Sequence, residues 1–575
     1  MANRALFRSQ SPADRAPPAT TTNSEGARAY ELGTREALAL YAATGTFNAT
    51  FYAKAEDHLT ELKGLLDKLG DDDIAFVARL AVYAREVAGM KDVPAFLLAW
   101  LMGRDAAGTW FARAFPRVVT NGKMLATFWQ VVNSGAAGRH GVGTRPKRVI
   151  QRWFDAKDDD FLFHTSIGVA KPGLADVLRA VHPRPATASR RALYGYLSGR
   201  NRPQYATHAT RAGFEPSRAE DLPQIVRDVE AFKLDPANAP LPAVDFRLLS
   251  SLPLATRHWT EIALRASWQT LRMNLSTFAR HGVFKNGAKL GDLPSFAGLA
   301  SIDPRDVIAT LAAKLRDPVA VRQARALPYQ LLAAYTYAGE DVPPQLLSAL
   351  HDAMEVATDN VPAIAGRVVV CVDVSGSMQS PVTGDRGEAT TKMRCVDIAA
   401  LFASCVLRKN PEARVLPFEQ DVVNASRMPR LEPRDTVMTN AAKLAAIAGG
   451  GTNCAAPLAL LNREGAQVDA VIYVSDNESW IDPEGRSNRY SAAYHGREMG
   501  PTSTMQEWKT LQARCPNARM VCINVQPRTT SQTAPDPRIL NVGGFSDEVF
   551  KVAARFLDRA AGARGWLDTI EKVDL

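Results

Sequence analysis

The run RVVVCVDV at 367–374 divides this chain of 575 residues. Consecutive β-branched residues suit a strand buried on both faces, because an exposed face would demand polar alternation. From here the pattern alternates. A helix follows with Val396, Ala399, Ala400, Ala403 and Leu407 on its apolar side, then strand-like ARVLPF (413–418), a helix near 437–448 and a glycine loop at 449–451. Helix-like 455–463, strand DAVIYVS (469–475), a helix near 503–513, strand RMVCINV (519–525) and a final helix at 546–559 complete the series. Strands and helices alternating at these lengths predict an α/β doubly wound parallel sheet covered on both faces. Such sheets bind ligands at the carboxyl ends of their strands.

At those ends stand Asp373, Ser375 and Ser377, as D-x-S-x-S, Thr452 after the triple glycine, and Asp476 after VIYVS. Two carboxylates and three hydroxyls are hard oxygen donors suited to Mg²⁺ or another divalent cation. A chance strand-to-helix turn with Ser and Asp as caps is the plainer alternative, and Thr452 and Asp476 falling in register argue against it. Catalysis has less support. An aspartyl-phosphate site wants a second Asp where Ser375 stands, and a nucleophile elbow wants G-x-S-x-G. The constellation resembles the metal-ion-dependent adhesion site (MIDAS) of von Willebrand factor A domains. That resemblance implies that Asp373, Ser375 and Ser377 approach the metal from one loop, and Thr452 and Asp476 from two others.

Before residue 367 the pattern is helical, from about Ala29 to Leu350. Phe76, Leu80 and Tyr83 recur at i, i+4, i+7, and Leu264, Trp268, Leu271 and Leu275 follow the same logic. Prolines such as Pro94, Pro116, Pro172 and Pro183 punctuate the stretch. Many medium helices joined by short turns suggest a stacked all-α array, without a clean fixed period. Residues 1–28, rich in Pro, Ser, Thr and Ala, are expected to form a flexible tail. The domains read as 1–28, 29–365 and 366–575.

Charge follows the same division. Residues 1–365 hold 44 basic and 36 acidic residues, whereas 366–575 hold 25 and 24. The excess lies in the helical part and favours polyanionic partners. Between 101 and 150 there are eight basic residues and one acidic residue. All six cysteines, Cys371, Cys395, Cys405, Cys454, Cys515 and Cys522, lie in the second part without CxxC spacing. They read as buried free thiols of a cytoplasmic protein, not zinc ligands. No apolar run has signal-peptide or membrane-helix length.

Several stretches of the helical part resemble the TROVE module of the Ro RNA-binding autoantigen family: FVARLAVYAREVAGMKDVPAFLL (76–98), GAAGRHGVGTRPKRVIQRWFD (135–155), LADVLRAVHPRP (174–185), WQTLRMNLSTFARHGVF (268–284) and ARALPYQLLAAYTYA (324–338). DNVPAIAGRVVVCVDVSGSM (359–378), GGGTNCAAPL (449–458), VIYVSDNES (471–479) and NVGGFSDEVFKVAARFL (541–557) look like the A-type domain that follows it in that family. The likeness covers nearly everything after residue 30. It implies a ring of HEAT-like helical repeats closed by the A-type domain. It also implies single-stranded RNA 3′ ends in a central hole, noncoding Y-like RNA on the outer surface, and an exoribonuclease such as polynucleotide phosphorylase as a bacterial partner.

Three basic groups are candidate RNA contacts. Arg139, His140, Arg145, Lys147, Arg148 and Arg152 lie in and after a glycine-rich loop, with Arg148 and Arg152 at i, i+4. Such a patch can replace counterions on phosphate without reading sequence. Lys171, Arg179, His182 and Arg184 form the second group. His182 stands at the position that, in the resembled family, carries a histidine important for Y RNA contact. Arg265, Arg272 and Arg280 form the third. There LRMNL departs from the family's L-L-R-N-L, with Met273 where Arg is usual. Asn453 likewise replaces a frequent Asp after G-G-T. For the first and third groups a solvated helix face is the plainer alternative, and for His182 a structural or capping role. The expected function is a non-enzymatic RNA-binding scaffold in RNA quality control or decay, acting as a soluble monomer. The alternative is a metal-dependent protein-binding adaptor.

Overall fold

A computed structural model describes residues 15–575, except 46, 48–53, 167–171, 200–218, 286–303, 325, 327, 360, 383–392, 448, 482–499, 527, 545–546 and 559–565. The first half of the expected tail, residues 1–14, and Lys171 therefore lie outside the described residues. Two compact units result. One comprises residues 70–326, 337–353 and 573–575, and the other residues up to 69, 327–336 and 354–572.

The first unit is built of helices. Ile74–Glu86 packs on Asp92–Arg104 and on Thr109–Val118. Asp92–Arg104 packs on Gly122–Ser134, and Thr109–Val118 on Thr144–Asp155, which in turn meets Leu174–Val181. Each helix thus touches its successor or the one after, the neighbour pattern of a stacked helical array. The Phe76, Leu80, Tyr83 stripe is buried as its spacing predicts. Asp92–Arg104 is apolar nearly all round and buries ten of its residues, Val93 to Met102.

The second unit holds a five-stranded sheet. Its strands are β3 (Val368–Asp373), β4 (Arg414–Phe418), β5 (Ala470–Ser475), β6 (Arg519–Asn524) and β8 (Ile539–Gly543), in the order β4-β3-β5-β6-β8. Every pairing in it is parallel. All six residues of β3 and of β5 are buried, as an uninterrupted apolar run requires when both faces are covered. Helix Cys395–Lys409 lies on β3 and packs on Val437–Ala445, while Ala456–Arg463 packs on Ser503–Arg514. All six cysteines are free and buried. Desolvation pushes the Cys395 and Cys522 thiols up to about 12.

From Arg15 on, the segment expected as tail is part of this unit. β1 (Thr21–Thr22) pairs antiparallel with β2 (Arg28–Glu31), which pairs antiparallel with β7 (Thr530–Ser531). Buried Asn23 closes the turn between β1 and β2. Its Oδ1 accepts from Glu25 N and Ala27 N, and its Nδ2 donates to the Ser479 carbonyl at 2.8 Å. Local composition favoured a coil, and pairing with a strand some 500 positions away overrides it. Helix Thr34–Thr44 packs on β8, where a side chain at Gly543 would collide with Leu40.

Candidate metal centre and basic surface

Strand β3 delivers Asp373 fully buried to its carboxyl end. The turn after it is fixed by Ser375 N, which donates to Asp373 Oδ1 at 2.9 Å. From the next strand, Ser475 Oγ donates to Asp373 Oδ2 at 2.5 Å. Ser375 Oγ and Ser377 Oγ lie 3.3 Å apart, both buried. Asp476 is 1% exposed, and the chain then takes a left-handed step at Asn477 (φ 66°), a conformation Asn tolerates better than most residues.

The glycine loop approaches the same turn. Gly376 N donates to the Gly450 carbonyl at 3.0 Å. A side chain at Gly449 would collide with the Val374 carbonyl, so only glycine fits this approach. Thr452 follows, buried, and its carbonyl accepts from Trp480 N and Ile481 N. That ties the Thr452 loop to the loop carrying Asp476. Asp373, Ser375, Ser377, Thr452 and Asp476 are thus all buried, on loops that span about a hundred positions and are tied to one another through their backbones.

The donor set fits a divalent cation. Asp373 and Asp476 are two carboxylates buried close together, and burial first, then the Asp476 charge, pushes the Asp373 carboxyl well above the usual carboxylate range. A hard dication among carboxylates and hydroxyls would relieve that repulsion. Asn453, where a carboxylate was the family expectation, has a structural role: its Nδ2 donates to the Gln420 carbonyl and its Oδ1 accepts from Ala455 N.

Two buried acids at this end were not among the sequence candidates. Glu419 Oε2 accepts from Gly450 N at 2.9 Å, and its carboxylate is ion-paired with Arg427. Glu478 is fully buried against Arg528 Nε at 3.0 Å and accepts from Ser24 N at 3.0 Å. Desolvation, only partly offset by Arg528, pushes its carboxyl up to about 7. Position alone hinted at Glu478, two residues after Asp476; Glu419 lies outside every motif.

The basic candidates separate. Helix Thr144–Asp155 is strongly amphipathic, with Pro146, Ile150, Trp153 and Phe154 buried. Trp153 Nε1 donates to the Val119 carbonyl at 2.7 Å, which pins that face inward. Burying each of the larger side chains is worth about 1.5–3 kcal/mol. The opposite face is left outward with Arg145, Arg148 and Arg152 exposed and Lys147 half-buried. Arg139 is exposed beside Gly143, and Arg145 donates to the Ala106 carbonyl. Arg139, Arg145, Arg148 and Arg152 line one depression together with the turn at 103–112. His140 instead folds over Gly135, where a side chain would collide with its ring, and meets the Asn133 carbonyl at 3.3 Å.

In the second group, His182 is the left-handed C-cap (φ 49°) of Leu174–Val181 and is exposed, as is Arg184. His182 is thus a cap and a surface group at once. Gln151, on the basic helix, donates to the carbonyls of both Val181 and His182. The first two groups are therefore neighbours. Arg179 is engaged internally, by Asp176 at 2.9 Å and the Ser198 carbonyl.

The third group does not form a basic face. Arg272 is 6% exposed, lies over the Trp268 ring at 5.9 Å, and is pushed down to about 10 by burial. Arg265 pairs with buried Glu261 at 2.9 Å. Arg265 is nevertheless half exposed, and Arg280 is outward as well, donating to Thr277 Oγ1. Met273 is 65% exposed. A one-residue offset on a helix turns a side chain by about 100°, so Arg272 does not replace an outward Arg at 273.

Residues 367–557 match the family model of the Ro60 vWA domain. The chain is 26% identical over 557 residues to the RNA-binding protein RO60 of Deinococcus radiodurans, spanning 93% of this chain and 94% of that protein. The crystal structure of the D. radiodurans RO (RSR) protein aligns with a TM-score of 0.54 at 21% identity, covering 92% of this chain and 100% of that one. At that identity the structural likeness speaks for the fold: a helical TROVE-type part followed by an A-type domain.

Proposed function

From a chain that is Ro-like along nearly its whole length, with an A-type domain of the Ro60 family, we propose an RNA-binding protein that uses the face of helix Thr144–Asp155. The observation that carries this reading is the convergence of Arg139, Arg145, Arg148 and Arg152 on one depression, with the His182 turn tied alongside by Gln151. Guanidinium groups so placed match phosphate geometry and release counterions on binding.

The finer reading assigns Y-like RNA to this basic surface and single-stranded 3′ ends to the hole that the Ro resemblance implies. RNA quality control or decay with an exoribonuclease such as polynucleotide phosphorylase, in the cytoplasm, follows as the biological role. The protein binds and positions RNA and does not cleave it. Among the described residues no helix is long and apolar enough to cross a membrane. Crosslinking in cells followed by sequencing of the attached RNA tests the reading. Enrichment of structured noncoding RNA or 3′-terminal fragments is expected; recovery of no RNA above background overturns it.

Gathering of Asp373, Ser375, Ser377, Thr452 and Asp476 favours a second role in the same molecule. The A-type domain would hold Mg²⁺, and a partner carboxylate would complete the metal shell. Copurification of proteins without RNA would make this adaptor role the main one.

A further inference from the structure

We propose that the depression between the 103–112 turn and helix Thr144–Asp155 is a seat for a single nucleotide, with the phosphate among the four arginines and the base against an apolar floor. The proposal rests on the RNA-binding reading and narrows it from a charged surface to a defined subsite.

The cavity measures about 440 Å³, within the roughly 300–1,000 Å³ of small-ligand sites. A lone phosphate would leave most of it unfilled. Its wall carries Arg139, Arg145, Arg148 and Arg152, and none of these makes an ion pair among the described residues. The one carboxylate in the lining is Asp105, whose oxygens are directed to its own turn. Oδ1 accepts from Gly108 N at 2.9 Å and Oδ2 from Phe111 N at 2.8 Å. The cavity therefore keeps its positive charge. Arg145 is held against the Ala106 carbonyl, so one guanidinium is fixed before any ligand arrives.

Part of the lining is apolar, with Met102, Phe111, Pro146 and Val149, and supplies the floor of the proposed seat. A groove that merely tracks a phosphate backbone does not need such a floor. A base unstacked from a single strand does, and it can also stack on a guanidinium plane. Arg148 and Arg152, one turn apart, flank the cavity where a bidentate phosphate contact would form.

The test titrates the full-length protein at fixed ionic strength with a nucleoside 5′-monophosphate, the matching nucleoside and inorganic phosphate. A single-stranded RNA oligonucleotide is measured in parallel. The monophosphate is expected to bind at least about tenfold more tightly than either fragment, within the range that one stacked base supplies. Arg148→Glu with Arg152→Glu should abolish that preference, while Arg430→Glu, an exposed arginine of the sheet unit, should leave it intact. Monophosphate binding no tighter than inorganic phosphate, or unchanged in the double variant, overturns the seat. The wild-type comparison decides this without any variant. Should the oligonucleotide still bind with a steep salt dependence, only the seat has failed; no oligonucleotide binding means the RNA reading itself has failed.

Discussion

Gln151 reaches from the basic helix to the turn at His182, donating from Nε2 to the His182 carbonyl at 3.3 Å and to the Val181 carbonyl at 2.6 Å. One side chain thus sets the spacing between Arg148 and Arg152 on one element and an exposed histidine on another. His182 holds a left-handed backbone conformation that costs energy in an ordinary residue, and this tie helps to maintain it. Gln151→Ala should weaken RNA binding about fivefold, the equivalent of one neutral hydrogen bond, with fold intact. Binding isotherms beside circular dichroism check this. Unchanged affinity would mean that the two basic groups act separately.

Arg148 and Arg152 are outward and Arg272 is inward, so their substitutions should part company. Arg148→Glu with Arg152→Glu should lower RNA affinity at least about tenfold and reduce the slope of log K against log salt by about 2. Arg272→Ala should leave that slope alone and lower thermal stability, by about 2–4 kcal/mol for the lost packing on Trp268. Met273→Arg, at the exposed neighbour, should raise affinity slightly if RNA passes this face. Salt titrations and thermal melts of the three variants make the comparison.

These contrasts show where the sequence stops speaking. The β-branched run at 367–374 and the strand at 469–475 were readable because burial on both faces leaves an uninterrupted apolar signature. Asp373 and Asp476 could be placed in the sequence because each directly ends or follows a buried strand, and Thr452 because it follows the triple glycine. Arg272 and Met273 were not, since helix phase in a short segment depends on which neighbour supplies the core. β1 and β2 were hidden because their partner is β7, remote in sequence and only two residues long. β8 was passed over because ILNVG is short and contains a polar Asn. Glu419 anchors the glycine loop through Gly450 N, a contact that loop closure creates and no spacing records.

Magnesium should stabilise the protein, and more so as pH rises. Burial and Asp476 raise the Asp373 carboxyl, and Glu478 is raised from 4.5 to about 7. A group raised on folding contributes stability that is present in full below its unfolded value and is lost as pH climbs through its folded value. The metal-free protein should therefore lose stability between about pH 4.5 and pH 7. A cation competes with the proton, so its benefit grows over the same window. At a hundred times its dissociation constant it adds about 2.7 kcal/mol. Melting curves with and without Mg²⁺ at pH 6 and pH 8 should show the larger shift at pH 8. Asp373→Asn should remove the Mg²⁺ shift and raise stability without metal, because one of two adjacent buried charges is gone.

Asn23 joins the amino-terminal turn to the loop that carries Asp476, so damage there should be felt at the metal. Asn23→Ala removes the buried donor to Ser479 O, the buried acceptor for Ala27 N and the half-buried acceptor for Glu25 N. Leaving such groups unpaired costs about 1–3 kcal/mol each, and water reaching the turn reduces the total. A loss of about 2–4 kcal/mol is expected. The neighbouring Ser24 N bond to Glu478 should weaken as well, freeing the 476–479 loop. Mg²⁺ should then bind more weakly in Asn23→Ala although all five donors are unchanged. A stability loss with unaltered Mg²⁺ affinity would show that the amino-terminal turn braces the sheet unit without positioning Asp476.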